Sequence, residues 1–177
     1  MGESVPFGSS AYWWHAALLL FGRSMDFVST WAGSPTLHLE GNPISKMLGW
    51  RWAIPVNALI CFALPHWPLT ALIVATMSVL LAAHNFELAW LMRTLGESEF
   101  GRWFSERRAE TPVSLYLGCL AARTALTMCV GGALVWASGA EQELTFGIGM
   151  GIITYSLAVA IYSVLSLWRN RRAMGTK

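Results

Sequence analysis

The stretch from Arg23 to Pro43, RSMDFVSTWAGSPTLHLEGNP, sets Arg23, Asp26, His38, Glu40 and Asn42 between long apolar segments. An ionisable group near lipid costs roughly 2.5–3.5 kcal/mol on insertion scales, so a chain keeps one only where it is paired, hydrated or put to use. Arg23 and Asp26 are three apart and share a helix face, with Thr30 one turn further on. His84 and Glu87 repeat that spacing in a later apolar segment, and Arg123 stands in another. Two chemistries fit these residue types. Asp26, Glu40, His84 and Glu87 are oxygen and imidazole ligands suited to a divalent cation such as Zn, Mn or Mg, although no H-E-x-x-H or H-x-x-x-H motif gathers them. Alternatively, Arg23 and Arg123 hold an anionic group such as a lipid phosphate, with a carboxylate or His84 as acid or base. A structural use competes with both. In it Arg23 pairs with Asp26 and Arg123 with Glu87, fastening helices by contacts worth about 0.6 kcal/mol on average.

The elements that must position these groups follow from composition. Of 177 residues, 55% are hydrophobic and 12% charged, about half the roughly 25% of an ordinary soluble domain. That balance reads as an all-α, multi-pass membrane bundle of one domain, embedded in lipid. A net charge of +2 is too small to suggest nucleic acid as a partner, and none is expected; the ten Trp suit interfacial belts. Five segments approach the roughly 20 apolar residues a spanning helix needs: 11–31, 52–66, 67–92, 113–138 and 144–168. Asn42-Pro43 is expected to open a short interfacial helix over 44–50, with Asn as cap and Pro in the first turn. The connection 93–111 mixes charges of both signs with Phe100, Trp103 and Phe104, the pattern of an amphipathic surface helix. Cys61, Cys119 and Cys129 lie in apolar segments without a C-x-x-C and read as packing residues. His15 and His66 read as interfacial histidines rather than pigment or haem ligands.

Basic residues set the expected orientation. Lys46 and Arg51 lie in the first connection, Arg93, Arg102, Arg107 and Arg108 in the third, and Arg169, Arg171, Arg172 and Lys177 in the tail. The amino-terminal segment and the second and fourth connections have none. This alternation fits five crossings with the N-terminus outside and the C-terminus cytoplasmic, in a cell membrane. Arg23, Asp26, Thr30, His84, Glu87 and Arg123 then all fall in the cytoplasmic half, with Glu40 and His38 placed to close the cluster from the adjoining connection. Gly147 and Gly151 form a GxxxG that allows close packing, within the chain or in a homo-oligomer or larger complex.

The opening stretch resembles an uncharacterised family of small prokaryotic polytopic membrane proteins. The family pattern is Asp-x-x-x-Thr at a helix end, a glycine-containing turn, then Glu-x-Asn-Pro; here these are Asp26 and Thr30, Gly33, then Glu40-Gly41-Asn42-Pro43. The resemblance implies a prokaryotic inner membrane, and one site shared by Asp26, Thr30, Glu40 and Asn42. It implies no activity. Three functions remain open from the residues: binding or transport of a divalent cation or small ligand, a membrane-embedded enzyme acting on a lipid or amphiphile, and an accessory subunit of a larger membrane complex.

Overall fold

The amino-terminal Ser9 starts the first helix, its hydroxyl accepting the Tyr12 N–H at 3.2 Å, as a serine cap does. In the computed structural model, which describes residues 4–40, 43–139 and 142–175, six α-helices follow in order: α1 (Ser10–Gly33), α2 (Pro43–Ala63), α3 (Pro68–Leu95), α4 (Glu97–Glu110), α5 (Val113–Ala137) and α6 (Glu143–Gly175). A 3-10 turn, Leu64–His66, joins α2 to α3, and no strand occurs among the described residues. Four segments are long and apolar enough to cross a bilayer: Lys46–His66, Pro68–Leu95, Val113–Ala137 and Glu143–Arg169. These make the chain a multi-pass membrane protein. The polar residues of α1, with Arg23 and Asp26 at its middle, keep that helix outside this set.

Gly49, with φ 63° and ψ 177°, interrupts α2, a backbone state that glycine enters without the steric cost of a Cβ. Gly49 thus sets a turn-and-a-half, 43–48, apart from the rest of α2, close to the bounds of the short helix expected over 44–50. The expected surface helix is α4: Phe100 is buried while Trp103 and Phe104 are partly exposed. Asn42 lies outside the described residues, so its capping role has no structural reading.

Small residues decide how the helices meet. On α3, Ala71, Ala75, Ser78, Ala82 and Ala89 are buried, and with Asn85 they follow alternating steps of four and three. On α1, Leu19, Gly22, Asp26, Ser29 and Gly33 follow the same rhythm, four of them buried. This heptad-type register keeps two helices face to face. A Cβ on Gly22 would stand 2.9 Å from the Ala75 carbonyl oxygen, so the backbones all but touch. In lipid such seams are held by close packing rather than by exclusion of water.

Contacts along the chain fix direction. Tyr12 donates its hydroxyl to the Phe62 carbonyl at 2.8 Å, Gly22 meets Ala75, and Gly33 meets Ala89 and Met92. Thus α1 runs beside α3 in the same sense over its whole length. Gly147 meets Leu72 and Gly151 meets Thr76, so α6 runs the same way on another side of α3. Gly131 of α5 meets Gly149 backbone to backbone, while Val135 also meets Gly149 and Ile153 meets Gly131, which makes α5 antiparallel to α6. The GxxxG face is consequently filled by α3 of the same chain. Of the two uses expected of Gly147 and Gly151, packing within the chain is the one seen: a Cβ on Gly151 would lie 2.6 Å from Thr76 Cβ.

The two ends of the bundle differ. At one, the N-terminal segment folds back: Val5 N–H donates to the His66 carbonyl at 2.9 Å, and the rings of Phe7, Tyr12, Phe62 and His66 pack together. At the other, the 34–40 connection and α4 cover a polar cavity.

Candidate functional site

Arg23 is a mostly buried cation in the bundle's polar interior. Its Nε donates to Asn57 Oδ1 of α2 at 2.7 Å, and its Nη1 donates to both Asp26 Oδ2 and Ser78 Oγ at 3.1 Å. Side-chain exposures of 19% for Arg23 and 18% for Asp26 mark a pair mostly withdrawn from the surface. The heptad register explains the meeting: Asp26 and Ser78 are seam positions, and Arg23 reaches from beside its own seam to α2. Asn57 also donates to the Ala53 carbonyl at 2.8 Å, one turn back in α2, which fixes its amide. A turn further along α1, Asn85 Nδ2 reaches Ser29 Oγ at 3.3 Å and Thr30 Oγ1 at 3.4 Å. These polar groups satisfy one another across three helices, as groups buried away from water must.

Of these, Arg23, Asp26, Thr30, Asn57 and Asn85 line one wall of a cavity of about 650 Å³ bordered by α1, α2, α3, α4, α6 and the 34–40 connection. Five of the eight expected site residues line it: Arg23, Asp26, Thr30, Glu40 and His84. The apolar lining comes from Phe27, Leu37, Leu81, Leu88, Phe100 and Phe104 among others. The far wall, from α4 and α6, carries Ser105, Arg108, Tyr162, Ser163 and Ser166.

Glu87 and Arg123 are not in that lining, and the single-cluster expectation is corrected for these two. Glu87 is 70% exposed and approaches His84 Nδ1 at 3.5 Å. Arg123 donates to the same His84 Nδ1 at 3.2 Å and to Tyr155 Oη at 3.0 Å, instead of pairing with Glu87. His84 thus joins a lateral group, Glu87, Arg123 and Tyr155, to the cavity. The metal set Asp26, Glu40, His84 and Glu87 is likewise not assembled. Among the described residues no group of three or more His, Cys, Asp or Glu is close enough to hold a metal ion.

The cavity's cover is built, not slack. Glu97, at the start of α4, accepts from Ser34 Oγ at 3.0 Å, from the Thr36 N–H at 3.0 Å and from the Thr36 hydroxyl. Partial burial works against the ionised Glu97, but the hydrogen bonds from Thr36, Ser34 and the His38 backbone outweigh it and hold its carboxyl below the ordinary value. Arg93 donates to the Ala32 and Trp31 carbonyls at 2.6 and 3.2 Å, occupying acceptors that the end of α1 leaves open. Trp50 Nε1 donates to the Pro35 carbonyl at 2.8 Å from the other side. Within this frame Leu37 sits at φ 60°, a left-handed state that costs a residue with a Cβ about 1–2 kcal/mol. Its burial, at 7% exposure, and its place in the cavity wall hold it there.

Sequence reasoning passed over Asn57, Ser78, Ser163 and Ser166, and used Arg108 only to orient the chain. Asn57 was the most legible of these, an amide in an otherwise apolar helix. The hydroxyls carried no signal, because serine and threonine are ordinary in packed membrane helices. The arrangement offers polar anchors at two walls and apolar surface between them, the requirements of a molecule with a polar head and a greasy body. No protein-family model, curated protein or solved structure matches the chain.

Proposed function

We propose that this chain is a five-crossing protein of a prokaryotic inner membrane that binds a small amphiphile within the bundle, in the cytoplasmic half of the bilayer. One observation carries the reading. A cavity of about 650 Å³ joins a hydrogen-bonded polar wall, centred on Arg23, Asp26 and Asn57, to apolar side chains from α3 and α4. Volumes of roughly 300–1,000 Å³ are usual for small-molecule sites. The family resemblance of the stretch from Asp26 to Asn42 adds support, since Asp26, Thr30 and Glu40 line this one space.

The fifth crossing rests on α1. Its 24 residues measure about 36 Å at 1.5 Å per residue, against a hydrocarbon core near 30 Å. Because α1 lies along α3 from end to end, it crosses where α3 crosses. The alternation of Lys and Arg between connections then puts the N-terminus outside and α4 with the tail in the cytoplasm.

Native mass spectrometry of the full chain, released from mild detergent, tests the binding function. The wild type is expected to retain a lipid-sized or smaller amphiphile, and Ala158→Phe, which projects a ring into the cavity, is expected to lose it. Equal retention by both would overturn the reading. Orientation is checked on a chain with its three cysteines replaced: an impermeant thiol reagent should label Gln142→Cys from outside and Glu106→Cys only after the membrane is opened. The reverse pattern would invert the protein.

A further inference from the structure

Among the described residues, no carboxylate pairs with Arg108, a cation that lines the cavity. Its Nη1 donates to Ser166 Oγ at 2.8 Å, and its guanidinium carbon lies 4.7 Å from the Phe104 ring centre and 5.3 Å from that of Tyr116. Its Nε is buried and has no hydrogen-bond partner among the described residues. An unpaired buried donor on a charged group is costly, so this N–H calls for an acceptor. The neighbouring arginines of α4 differ: Arg107 pairs with Glu110 at 2.8 Å, and Arg102 pairs with Glu99. The wall around Arg108 is supplied by Ser105, Tyr162, Ser163 and Ser166, which are hydroxyls without carboxylates. Asp26 and Glu40 belong to the opposite side, on α1 and its connection.

We propose that Arg108 is the anchor of an anion subsite, in which its Nε edge and the hydroxyls of α6 receive the phosphate or carboxylate of a bound amphiphile. A guanidinium presents two parallel N–H groups along that edge, the geometry that oxyanions take in a bidentate way. Phe104 lies against the guanidinium and is itself 38% exposed. Arg108 stands in the last turn of α4, while the greasy lining, Leu81, Leu88 and Phe100, extends inward. The head therefore lies at the α4 end and the body points into the bundle. This assignment rests on the amphiphile reading above and specifies its charge.

The test uses the full chain in a zwitterionic detergent, with retention of dioleoylphosphatidylglycerol and of dioleoylphosphatidylcholine followed by native mass spectrometry. The wild type should prefer the anionic lipid by about tenfold or more, the scale of one charge-assisted contact. Arg108→Gln should remove that preference, and Arg107→Gln should keep it. A preference unchanged in Arg108→Gln, or lost equally in Arg107→Gln, overturns the subsite in favour of none or of general surface charge. Arg108→Lys, which keeps the charge without the paired donors, should lose most of the preference and serves where the glutamine variant does not fold. Inorganic phosphate alone separates the two sources of the anion: competition against the lipid at millimolar levels makes a free phosphate a ligand, and its failure to compete assigns the site to a headgroup. Ala158→Phe separates the two proposals. Lipid lost in Ala158→Phe but unaffected by Arg108→Gln leaves the cavity reading and removes the anchor. Lipid retained in Ala158→Phe but lost in Arg108→Gln does the opposite.

Discussion

Arg23 Nε donates to Asn57 Oδ1 at 2.7 Å, and this bond is the polar link between α1 and α2 at the head of the cavity. The same guanidinium holds Asp26 and Ser78, so one side chain serves three helices. The order of cost on mutation follows. Arg23→Leu leaves Asp26 buried without its cation and should destabilise by about 3–5 kcal/mol, as broken buried pairs do. Asn57→Leu removes one contact and should cost about 1–3 kcal/mol. The double variant Arg23→Leu with Asp26→Leu should be markedly more stable than Arg23→Leu alone, because no charge is stranded. Unfolding midpoints of the wild type, Arg23→Leu, Asp26→Leu and the double variant in one detergent close the cycle. Additive losses would mean that Arg23 and Asp26 do not depend on each other.

The α1–α3 seam gives a prediction of a different kind, about space. At Gly22 an added methyl would meet the Ala75 carbonyl at 2.9 Å, whereas at Gly132 nothing lies within 4 Å. Gly22→Ala should therefore force the helices apart and cost about 1–3 kcal/mol, the range for overpacking. Gly132→Ala, near the C-terminal end of α5, should be neutral or stabilise by about 0.4–1 kcal/mol through reduced freedom of the unfolded chain. The same midpoint assay measures both, and equal effects would contradict the close approach of α1 and α3.

Much of this architecture was legible in the residues, and the exceptions have physical reasons. Hydropathy located the membrane-grade helices and the surface helix α4, because lipid demands long apolar runs and an interface demands a two-faced one. Arg23, Asp26, Thr30, Glu40 and His84 do share one cavity. Glu87 does not, and helical angle explains why. At about 100° per residue, Met77, Leu81, Asn85, Leu88 and Met92 all fall on one side of His84, and Glu87 falls on the other. Three residues of separation mark neighbours on a helix surface, not membership of one face of a cavity. Arg108 was hidden for another reason: in a row of surface charges, nothing in the sequence distinguishes the arginine that turns inward from those that pair at the surface. The stripe of alanines on α3 also escaped, since a hydropathy scale weighs how apolar a residue is and not how near it lets a backbone come.

Acid should loosen the cavity's cover. The folded state lowers the Glu97 carboxyl below its ordinary value of 4.5 through the bonds from Thr36, Ser34 and His38. A lowered folded value means that the unfolded chain takes up the proton first, so the contribution of Glu97 is complete above about pH 4.5 and is lost as pH falls through the lower folded value. Hydrogen exchange at the Thr36 and Leu39 amides, which bond Glu97 and Ser34, should accelerate relative to the intrinsic rate below that pH. Glu97→Gln should show fast exchange at neutral pH and little further change in acid. Protection at Thr36 that persists in Glu97→Gln would show that Arg93 and Trp50 hold the loop unaided.

The last prediction divides the intramembrane charges into two groups with different duties. Arg123 touches His84 Nδ1 and Tyr155 Oη and so ties α5 to α3 and α6, but it does not line the cavity. Arg23 lines it and orders its polar wall. Arg123→Gln should consequently lower stability by about 0.6 kcal/mol, the usual worth of a polar contact between membrane helices, and leave amphiphile retention as in the wild type. Arg23→Gln should lower retention as well as stability, because Asn57 and Asp26 lose the donor that aligns them toward the ligand. Retention and unfolding midpoint measured on the same two preparations decide the matter. Loss of ligand from Arg123→Gln at unchanged stability would join the lateral group to the site and make His84 the bridge between them.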